Sequence, residues 1–223
     1  MNLSTIKVCI FDVNGVLIDS NRANARAMAR SFTDDPATLH LIEELYLELT
    51  GIDRGSKIRI IQERVMRRPF EGGEFEMRWE RFKRLSRESM ARAPLIPGCT
   101  EVLARLGELE KIRVALSNTP LAELRETLAA RRLDPLLDII RGGGDWPKSE
   151  SLVRLLTEFG FEADRCLFMG DGKGDLAAAE HAGVPFVAVD GGTGEFEGRQ
   201  GFHGPFRNLA DWGREVLGMA SGP

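Results

Sequence analysis

The chain has 223 residues, of which 43% are hydrophobic and 29% are charged, and its formal net charge is −4. This composition is typical of a globular protein with a sizeable core, and the acidic balance argues against a general nucleic-acid-binding protein. The N-terminal residues lack a signal-peptide pattern, and no apolar run reaches the ~18–20 residues that a membrane span needs. We therefore expect a cytoplasmic protein with no nucleic-acid or membrane partner. The three cysteines, an odd number without zinc-site spacing, fit buried free thiols.

Short apolar runs rich in β-branched residues predict five strands. They alternate with segments of helical apolar spacing, and strands that are apolar throughout are buried on both faces, as in a parallel sheet covered by helices. The pattern therefore predicts an α/β fold with a Rossmann-like, doubly wound parallel sheet. The predicted strands are Lys7–Val13, Arg113–Asn118, Leu137–Arg141, Arg165–Asp171 and Pro185–Asp190, and the predicted helices are Thr100–Glu110, Leu121–Arg132, Lys148–Phe159 and Asp175–Ala182.

Residues 20–94 interrupt this alternation. They contain no convincing strand and read as an all-helical insert, so we expect residues 1–19 and 95–223 to form the α/β core. The insert holds 15 Lys/Arg and 12 Asp/Glu, against 15 and 22 in the remainder. A mildly basic insert beside an acidic core would suit an anionic substrate held on a metal, although a solvated helical surface explains most of these charges equally well.

Glycine marks the ends of several predicted elements. Gly160 and Gly183 follow predicted helices, where a left-handed cap would suit them. The glycine-rich segment Gly191–Gly204 follows the last predicted strand, and we expect it to form an irregular loop.

Polar side chains stand where several predicted strands end. Asp12 ends the first strand, Ser117 and Asn118 end the second, and Asp171 ends the fourth. In open α/β sheets, ligands bind outside the carboxyl ends of the strands. Lys148 begins the helix after the third strand and could reach the same place. The sequence therefore predicts a functional site at this edge of the sheet.

At these positions the chain resembles the haloacid dehalogenase superfamily. Four motifs match in order: FDVNGVL, the serine of ALSNT, the lysine of WPKSE, and the two acids of GDGKGD. The helical insert looks like the type 1 cap of phosphoglycolate phosphatase-like and β-phosphoglucomutase-like members. The resemblance covers nearly the whole chain, and its specificity comes from the ordered set, since each motif alone is weak.

The resemblance implies a magnesium site and a nucleophile. Asp12 would attack phosphorus and form an aspartyl-phosphate. Asp12, Asp171 and the backbone carbonyl of Asn14 would hold Mg²⁺, a hard cation that prefers oxygen ligands. Asp175 would complete this metal site by orienting metal-bound water or Lys148. An alternative for Asp175 is a helix N-terminal acid favoured by the helix dipole.

The resemblance also implies how the phosphoryl group and the substrate would be bound. Ser117 would hydrogen-bond a phosphoryl oxygen beside Asn118, and Lys148 would neutralise charge between nucleophile and phosphate. Taken alone, Ser117 could be a turn hydroxyl and Lys148 a solvated helix start. In the cap, Arg54 and Lys57 of the segment Thr50–Lys57 would contact an anionic substrate.

Asn14 departs from the family pattern. Phosphatases of this family carry an aspartate there, which protonates the leaving oxygen and then activates water, and such catalysis typically contributes ~10²–10⁴-fold. An asparagine cannot exchange a proton in this role, but its backbone carbonyl is unaffected. We therefore expect metal and phosphate binding to survive and turnover to be slowed.

Several explanations of Asn14 stay open. The chain could be a slow or leaving-group-limited phosphatase, an engineered trap variant, a branch with other chemistry, or a binder of phosphorylated ligands. A phosphonate-cleaving relative uses a cap lysine as a Schiff base, a role for which Lys57 is the candidate. The dehalogenase branch works without metal, and the pair Asp171 and Asp175 argues against it.

The sequence thus predicts a Mg²⁺-dependent phosphohydrolase that acts on a small phosphorylated metabolite through Asp12. The alternatives are a catalytically weak phosphate-ligand binding or regulatory protein on the same fold, and a phosphotransferase or mutase. The chain would be a monomer or a homodimer.

Overall fold

The computed structural model describes residues 3–49, 52–90, 92–143, 146–191 and 193–220. These described residues form six strands, which are, in chain order, β1 (Val8–Phe11), β2 (Ile112–Pro120), β3 (Ile139–Gly143), β4 (Cys166–Gly170), β5 (Phe186–Val189) and β6 (His203–Phe206). The helices are α1 (Asn21–Phe32), α2 (Pro36–Glu48), α3 (Arg54–Ile61), α4 (Glu74–Met90), α5 (Cys99–Glu108), α6 (Leu121–Ala130), α7 (Lys148–Phe159), α8 (Lys173–Ala182) and α9 (Leu209–Leu217). A π-helical turn spans Gln62–Met66, and 3₁₀ turns span Asp134–Leu136 and Ala163–Arg165.

The strands form one sheet in the order β3-β2-β1-β4-β5-β6, and every neighbouring pair is parallel. The chain starts in the middle of the sheet, extends to one edge through β2 and β3, and returns to build the other edge from β4 to β6. The predicted α/β class with a Rossmann-like, doubly wound parallel sheet is confirmed.

The central strands are buried along their whole length. Every residue of β1 and of β4 is buried, as their uninterrupted apolar sequences predict. Side chains of α7 and α8 pack on one face of the sheet, where Val8, Ile10, Leu116 and Phe168 form a common core with Leu152. Gly160 and Gly183 end these two helices in the left-handed conformation, with φ of 66° and 68°, as expected for glycine caps.

The expectation for the segment Gly191–Gly204 is wrong at its end. An edge strand, β6, begins at His203 and pairs in parallel with β5. This strand is largely exposed, and it contains a glycine and a proline instead of an apolar run. Its formation depends on hydrogen bonding to β5, which local sequence pattern does not reveal.

The chain divides into two compact units, one of residues 1–18 and 95–223 and the other of residues 19–94. The described residues of the second unit form helices and no strand. Its core contains Met28, Ile42, Ile58 and Phe82, and α1 packs against both α2 and α4. Among the described residues, no helix is long and apolar enough to span a membrane.

Candidate active site

The first strand delivers Asp12 to the edge of the sheet. Its backbone N–H donates to the carbonyl of Met169 on β4 (2.9 Å), and the residue is 5% exposed. The chain then turns back at once, because the N–H of Gly15 donates to the carbonyl of Ile18 (2.8 Å). Gly15 has φ of 88°, a conformation that glycine adopts without strain. These backbone hydrogen bonds therefore fix the position of Asp12 at the end of β1 and the turn that contains Asn14.

Lys148, the first residue of α7, joins two carboxylates from different elements. Its Nζ lies 2.7 Å from Asp12 Oδ1 and 2.5 Å from Asp175 Oδ1. All three side chains are about nine-tenths buried, with exposed fractions of 11%, 6% and 7%. An ammonium held by two buried carboxylates forms charge-assisted hydrogen bonds that water does not weaken.

Asp175 reaches this position because Gly170, the last residue of β4, has no side chain. A Cβ at Gly170 would lie 2.3 Å from the Cβ of Asp175. Asp175 Oδ2 also accepts a hydrogen bond from the backbone N–H of Asp171 (3.2 Å). The end of β4 and the start of α8 therefore hold the Asp175 carboxylate in one orientation.

Three carboxylates could hold a metal ion here. Asp12, Asp171 and Asp175 each offer an oxygen, and these oxygens lie within 4.8 Å of one another. An all-oxygen set of this kind suits a hard cation such as Mg²⁺ or Ca²⁺ better than a soft one.

Burial and charge oppose each other at this cluster. Burial raises the pKa of Asp12 from 3.8 to about 6, although the Lys148 ammonium acts in the opposite direction. Burial alone would lower the pKa of Lys148, but the charges of Asp12 and Asp175 raise it above its ordinary value. Lys148 is therefore a fixed cation, and it is the group that lets two carboxylates share one buried site.

The end of β2 supplies hydroxyl groups. Ser117 is buried, and its Oγ accepts a hydrogen bond from the backbone N–H of Thr119 (3.2 Å). The hydroxyl of Thr119 accepts from the side-chain amide of Asn14 (3.4 Å), so Asn14 is connected to the end of β2. Asn118 lies between the two buried hydroxyl residues and is exposed.

Thr119 was not predicted as a site residue. Successive side chains of a strand point to opposite faces, so a residue two positions after Ser117 points to the same side. That spacing could have identified Thr119 from the sequence, since both residues carry hydroxyls at the end of one strand.

Arg54 and Lys57 lie on α3 in the helical unit. Asp53 caps this helix by accepting from the N–H of Ser56 (2.9 Å). The Arg54 guanidinium lies over the ring of Phe82, with 5.4 Å between the carbon and the centroid. Thr50 and Gly51, the first residues of the predicted substrate-contact segment, lie outside the described residues.

Lys57 is buried within the helical unit. Its Nζ lies 3.8 Å from the ring centroid of Tyr46 and donates to the Tyr46 carbonyl (3.4 Å). These contacts join α3 to α2, and the substrate contact expected of Lys57 stays a prediction.

The chain belongs to the haloacid dehalogenase-like hydrolase family, whose model matches residues 6–183. The resemblance seen in the four motifs is thereby confirmed at the level of the family, which is a family of enzymes. A relative named phosphoglycolate phosphatase from Rhodospirillum rubrum is 28% identical over 221 residues, which cover 92% of this chain and 90% of that protein.

Solved structures show the same fold. A protein described as a predicted phosphoglycolate phosphatase from Haemophilus somnus matches with a TM-score of 0.71 at 21% identity, covering 84% of this chain and 87% of that one. CbbY from Rhodobacter sphaeroides, solved in complex with phosphate, matches with a TM-score of 0.69 at 20% identity, covering 87% of this chain and 92% of that one.

Proposed function

We propose that this protein is a Mg²⁺-dependent phosphohydrolase of a small phosphorylated metabolite that works through an aspartyl-phosphate on Asp12. The observation that carries the proposal is the buried contact of Lys148 with Asp12 and Asp175, next to the carboxylate of Asp171. A nucleophilic carboxylate beside a fixed cation and further acids is what phosphoryl transfer requires, because the reaction depends on positioning and charge stabilisation.

The residues present fit a bound Mg²⁺. The carboxylates of Asp12 and Asp171 and the backbone carbonyl of Asn14 would hold the ion, and Asp175 would orient its water or Lys148. When bound, Mg²⁺ neutralises charge on the phosphoryl oxygens. The cluster of oxygens within 4.8 Å supports this assignment, since Mg²⁺ takes oxygen ligands at short range.

Asp12 acts first as the nucleophile. A bond forms between its carboxylate oxygen and phosphorus while the bond from phosphorus to the leaving oxygen breaks. Lys148 and the hydroxyl of Ser117 stabilise the negative charge on the remaining phosphoryl oxygens, and Asn118 contributes a further polar contact. The fixed charge of Lys148 supports this role because it needs no rearrangement during the reaction.

Asn14 limits both proton transfers. The leaving oxygen needs a proton as its bond to phosphorus breaks, and the water that later opens the aspartyl-phosphate must lose one. The Asn14 amide donates a hydrogen bond to Thr119 and has no proton to exchange. Turnover therefore depends on solvent or on a leaving group that departs without help.

The names of the relatives support the substrate class. The Rhodospirillum rubrum relative is named a phosphoglycolate phosphatase and spans nearly the same length. We assign to this chain a phosphorylated small acid or sugar, with residues 20–94 as a helical cap. Arg54, at the start of α3, would contact the anion there. Lys57 is the other predicted contact, and its side chain is buried against the ring of Tyr46.

The decisive experiment compares the natural chain with Asn14→Asp on a panel of phosphate esters in the presence of Mg²⁺. Restoring an acid should raise kcat by ~10²–10⁴-fold with a smaller change in KM. Asp12→Asn serves as the matched control and should be inactive in either background.

The same experiment distinguishes a phosphohydrolase from a binding protein and from a phosphotransferase or mutase. Robust activity of the natural chain that stays flat or falls in Asn14→Asp would contradict the proton-transfer argument. Absence of turnover in both forms, with phosphate-ester binding intact, would identify a binding protein instead. Transfer of the phosphoryl group to a second sugar would identify a phosphotransferase or mutase.

A further inference from the structure

Helix α8 begins between two acids of the proposed metal site, and the residue before it supplies no side-chain cap. Its first residue, Lys173, lies between Asp171 and Asp175 in the chain. The preceding residue is Gly172, which has no side chain and makes no capping hydrogen bond. The first N–H groups of a helix have no intrahelical partner, and a side-chain oxygen that accepts from one of them stabilises the helix start.

A carboxylate from the glycine-rich segment after β5 takes the place of that cap. Glu195 Oε1 accepts a hydrogen bond from the backbone N–H of Lys173 (3.3 Å), although the two residues are 22 positions apart. The same oxygen lies 3.6 Å from Nζ of Lys173. The Glu195 side chain is 10% exposed, whereas that of Lys173 is 51% exposed. An acid at a helix N-terminus also interacts favourably with the helix dipole.

Glu195 is itself held by the end of β5. Its backbone N–H donates to the hydroxyl oxygen of Thr193 (3.4 Å). The N–H and the hydroxyl of Thr193 both donate to Asp190 Oδ1, at 2.6 and 2.8 Å. Asp190 follows the last residue of β5 directly. A chain of hydrogen bonds therefore connects the end of β5 with the first residue of α8.

Phe196, the next residue, anchors the segment in the core. It is 3% exposed, and its ring centroid lies 6.0 Å from that of Phe186 on β5 and 5.2 Å from that of Phe202. Because this anchor already restricts the neighbouring Glu195, the hydrogen bond to α8 costs little further conformational entropy.

The first turn of α8 connects the capped residue to the acids on either side of it. The N–H of Asp175 donates to the carbonyl of Gly172 (3.0 Å), and Asp175 Oδ2 accepts from the N–H of Asp171 (3.2 Å). Lys173 lies within this turn. A shift of its backbone would therefore move both carboxylates.

We propose that Glu195 is a positioning residue, which holds Asp171 and Asp175 in place for a metal ion by capping α8. It acts through the backbone of Lys173 and does not touch the substrate. The inference rests on the proposed Mg²⁺ site. Groups that orient metal ligands typically contribute ~10–100-fold to metal affinity or activity.

The first test measures amide hydrogen exchange of Lys173 by NMR on the full chain without Mg²⁺. Glu195→Ala removes the acceptor, and the Lys173 amide should exchange ~5-fold faster or more. Glu195→Gln keeps a side-chain oxygen that can accept and should stay within ~2-fold of the natural chain. Glu197→Ala is the matched control, because it removes an exposed acid of the same segment and should leave the exchange unchanged.

The second test measures Mg²⁺ affinity of the same variants by titration calorimetry. Glu195→Ala should bind Mg²⁺ ~10-fold more weakly, whereas Glu195→Gln and Glu197→Ala should stay within ~3-fold of the natural chain. Rescue by glutamine distinguishes a cap from a charge effect, because glutamine keeps the acceptor and loses the charge.

Three results would overturn the inference. They are an unchanged Lys173 exchange rate or Mg²⁺ affinity in Glu195→Ala, a Glu195→Gln variant as impaired as Glu195→Ala, and amide changes spread through the sheet instead of confined to residues 171–176. Absence of Mg²⁺ binding in the natural chain would contradict the proposed function. The Lys173 exchange rates, measured without Mg²⁺, would then still decide whether Glu195 holds this turn.

Discussion

Lys148 and Asp12 are 136 residues apart in the chain, yet the Nζ of Lys148 lies 2.7 Å from Oδ1 of Asp12. The contact joins the first strand to the helix after the third strand. It is possible because the carboxyl end of β1 and the start of α7 meet at one edge of a parallel sheet. Since Asp175 approaches the same ammonium at 2.5 Å, removal of Lys148 would leave two acids facing each other in a buried site.

Substituting Lys148 by methionine should therefore affect both stability and activity. Breaking a buried ion pair by removing one partner typically costs ~3–5 kcal/mol, and we expect a loss of this order in urea unfolding without Mg²⁺. Mg²⁺ should stabilise the variant more than the natural chain, because a divalent cation replaces the lost countercharge. Phosphatase activity should fall by at least ~10²-fold.

Lys83→Met is the control for this prediction. Lys83 pairs with Glu80 on the surface of α4, and pairs of this kind contribute ~0–1 kcal/mol. If Lys148→Met unfolded at the same urea concentration as the natural chain, the buried triad would not have the energetic role that we assign to it.

Much of the fold could be predicted because the strongest signals are local. The helix Lys148–Phe159 is observed with its predicted bounds, since Pro147 precedes its first residue and Gly160 ends it. By contrast, β6 has no apolar run, and it exists because it completes the hydrogen bonding of β5. A strand of that kind forms because of its pairing with a neighbouring strand, and the local pattern of residues in the sequence does not show that pairing.

The sequence could predict which residues form the candidate site, but not the contacts between their side chains. Strand ends are visible in the sequence, so Asp12 and Asp171 could be assigned to one edge of the sheet. The close approach of Asp175 depends on the missing side chain of Gly170, and the link from Asn14 to Thr119 depends on the turn after β1. Such contacts arise from backbone positions in three dimensions, which residue spacing alone does not specify.

Gly170→Ala should disrupt the site without changing any charged residue. The added Cβ would lie 2.3 Å from the Cβ of Asp175, so strand β4 or helix α8 must shift. Overpacking typically costs ~1–3 kcal/mol, and the displaced Asp175 should weaken Mg²⁺ binding and activity together. Thermal unfolding and Mg²⁺ titration measure the two effects.

Gly191→Ala provides a matched control, because a Cβ there meets nothing within 4 Å. It should unfold at the same temperature as the natural chain and retain its affinity for Mg²⁺. Normal Mg²⁺ affinity in Gly170→Ala would show that the position of Asp175 does not matter for the metal.

Arg54→Ala tests the proposed substrate contact of the helical cap. Loss of a cation that binds the substrate anion should raise KM by ~10-fold and leave kcat nearly unchanged, since the chemistry takes place at Asp12. The lost packing on Phe82 should cost only ~0.5–1 kcal/mol of stability. Steady-state kinetics on the best substrate of the panel measures the rise in KM, and Arg84→Ala, which removes an exposed arginine on α4, is the control. An unchanged KM in Arg54→Ala would show that Arg54 does not contact the substrate.

The Glu74 carboxylate makes the stability of the helical unit depend on pH. Hydrogen bonds from Arg68 lower the pKa of Glu74 from 4.5 to about 2, although burial acts in the opposite direction. The folded state therefore favours the ionised form, and this contribution is fully present above pH 4.5 and lost as the pH falls towards 2. Glu74→Gln should be less stable than the natural chain at pH 7, and the difference should shrink steadily from pH 4.5 to pH 3. Urea unfolding across this range measures the change. Glu88→Gln is the control, because Glu88 forms an exposed pair with Arg84, and its loss of unfolding free energy should be much smaller. If the loss of unfolding free energy in Glu74→Gln did not change with pH, Glu74 would contribute packing and not charge.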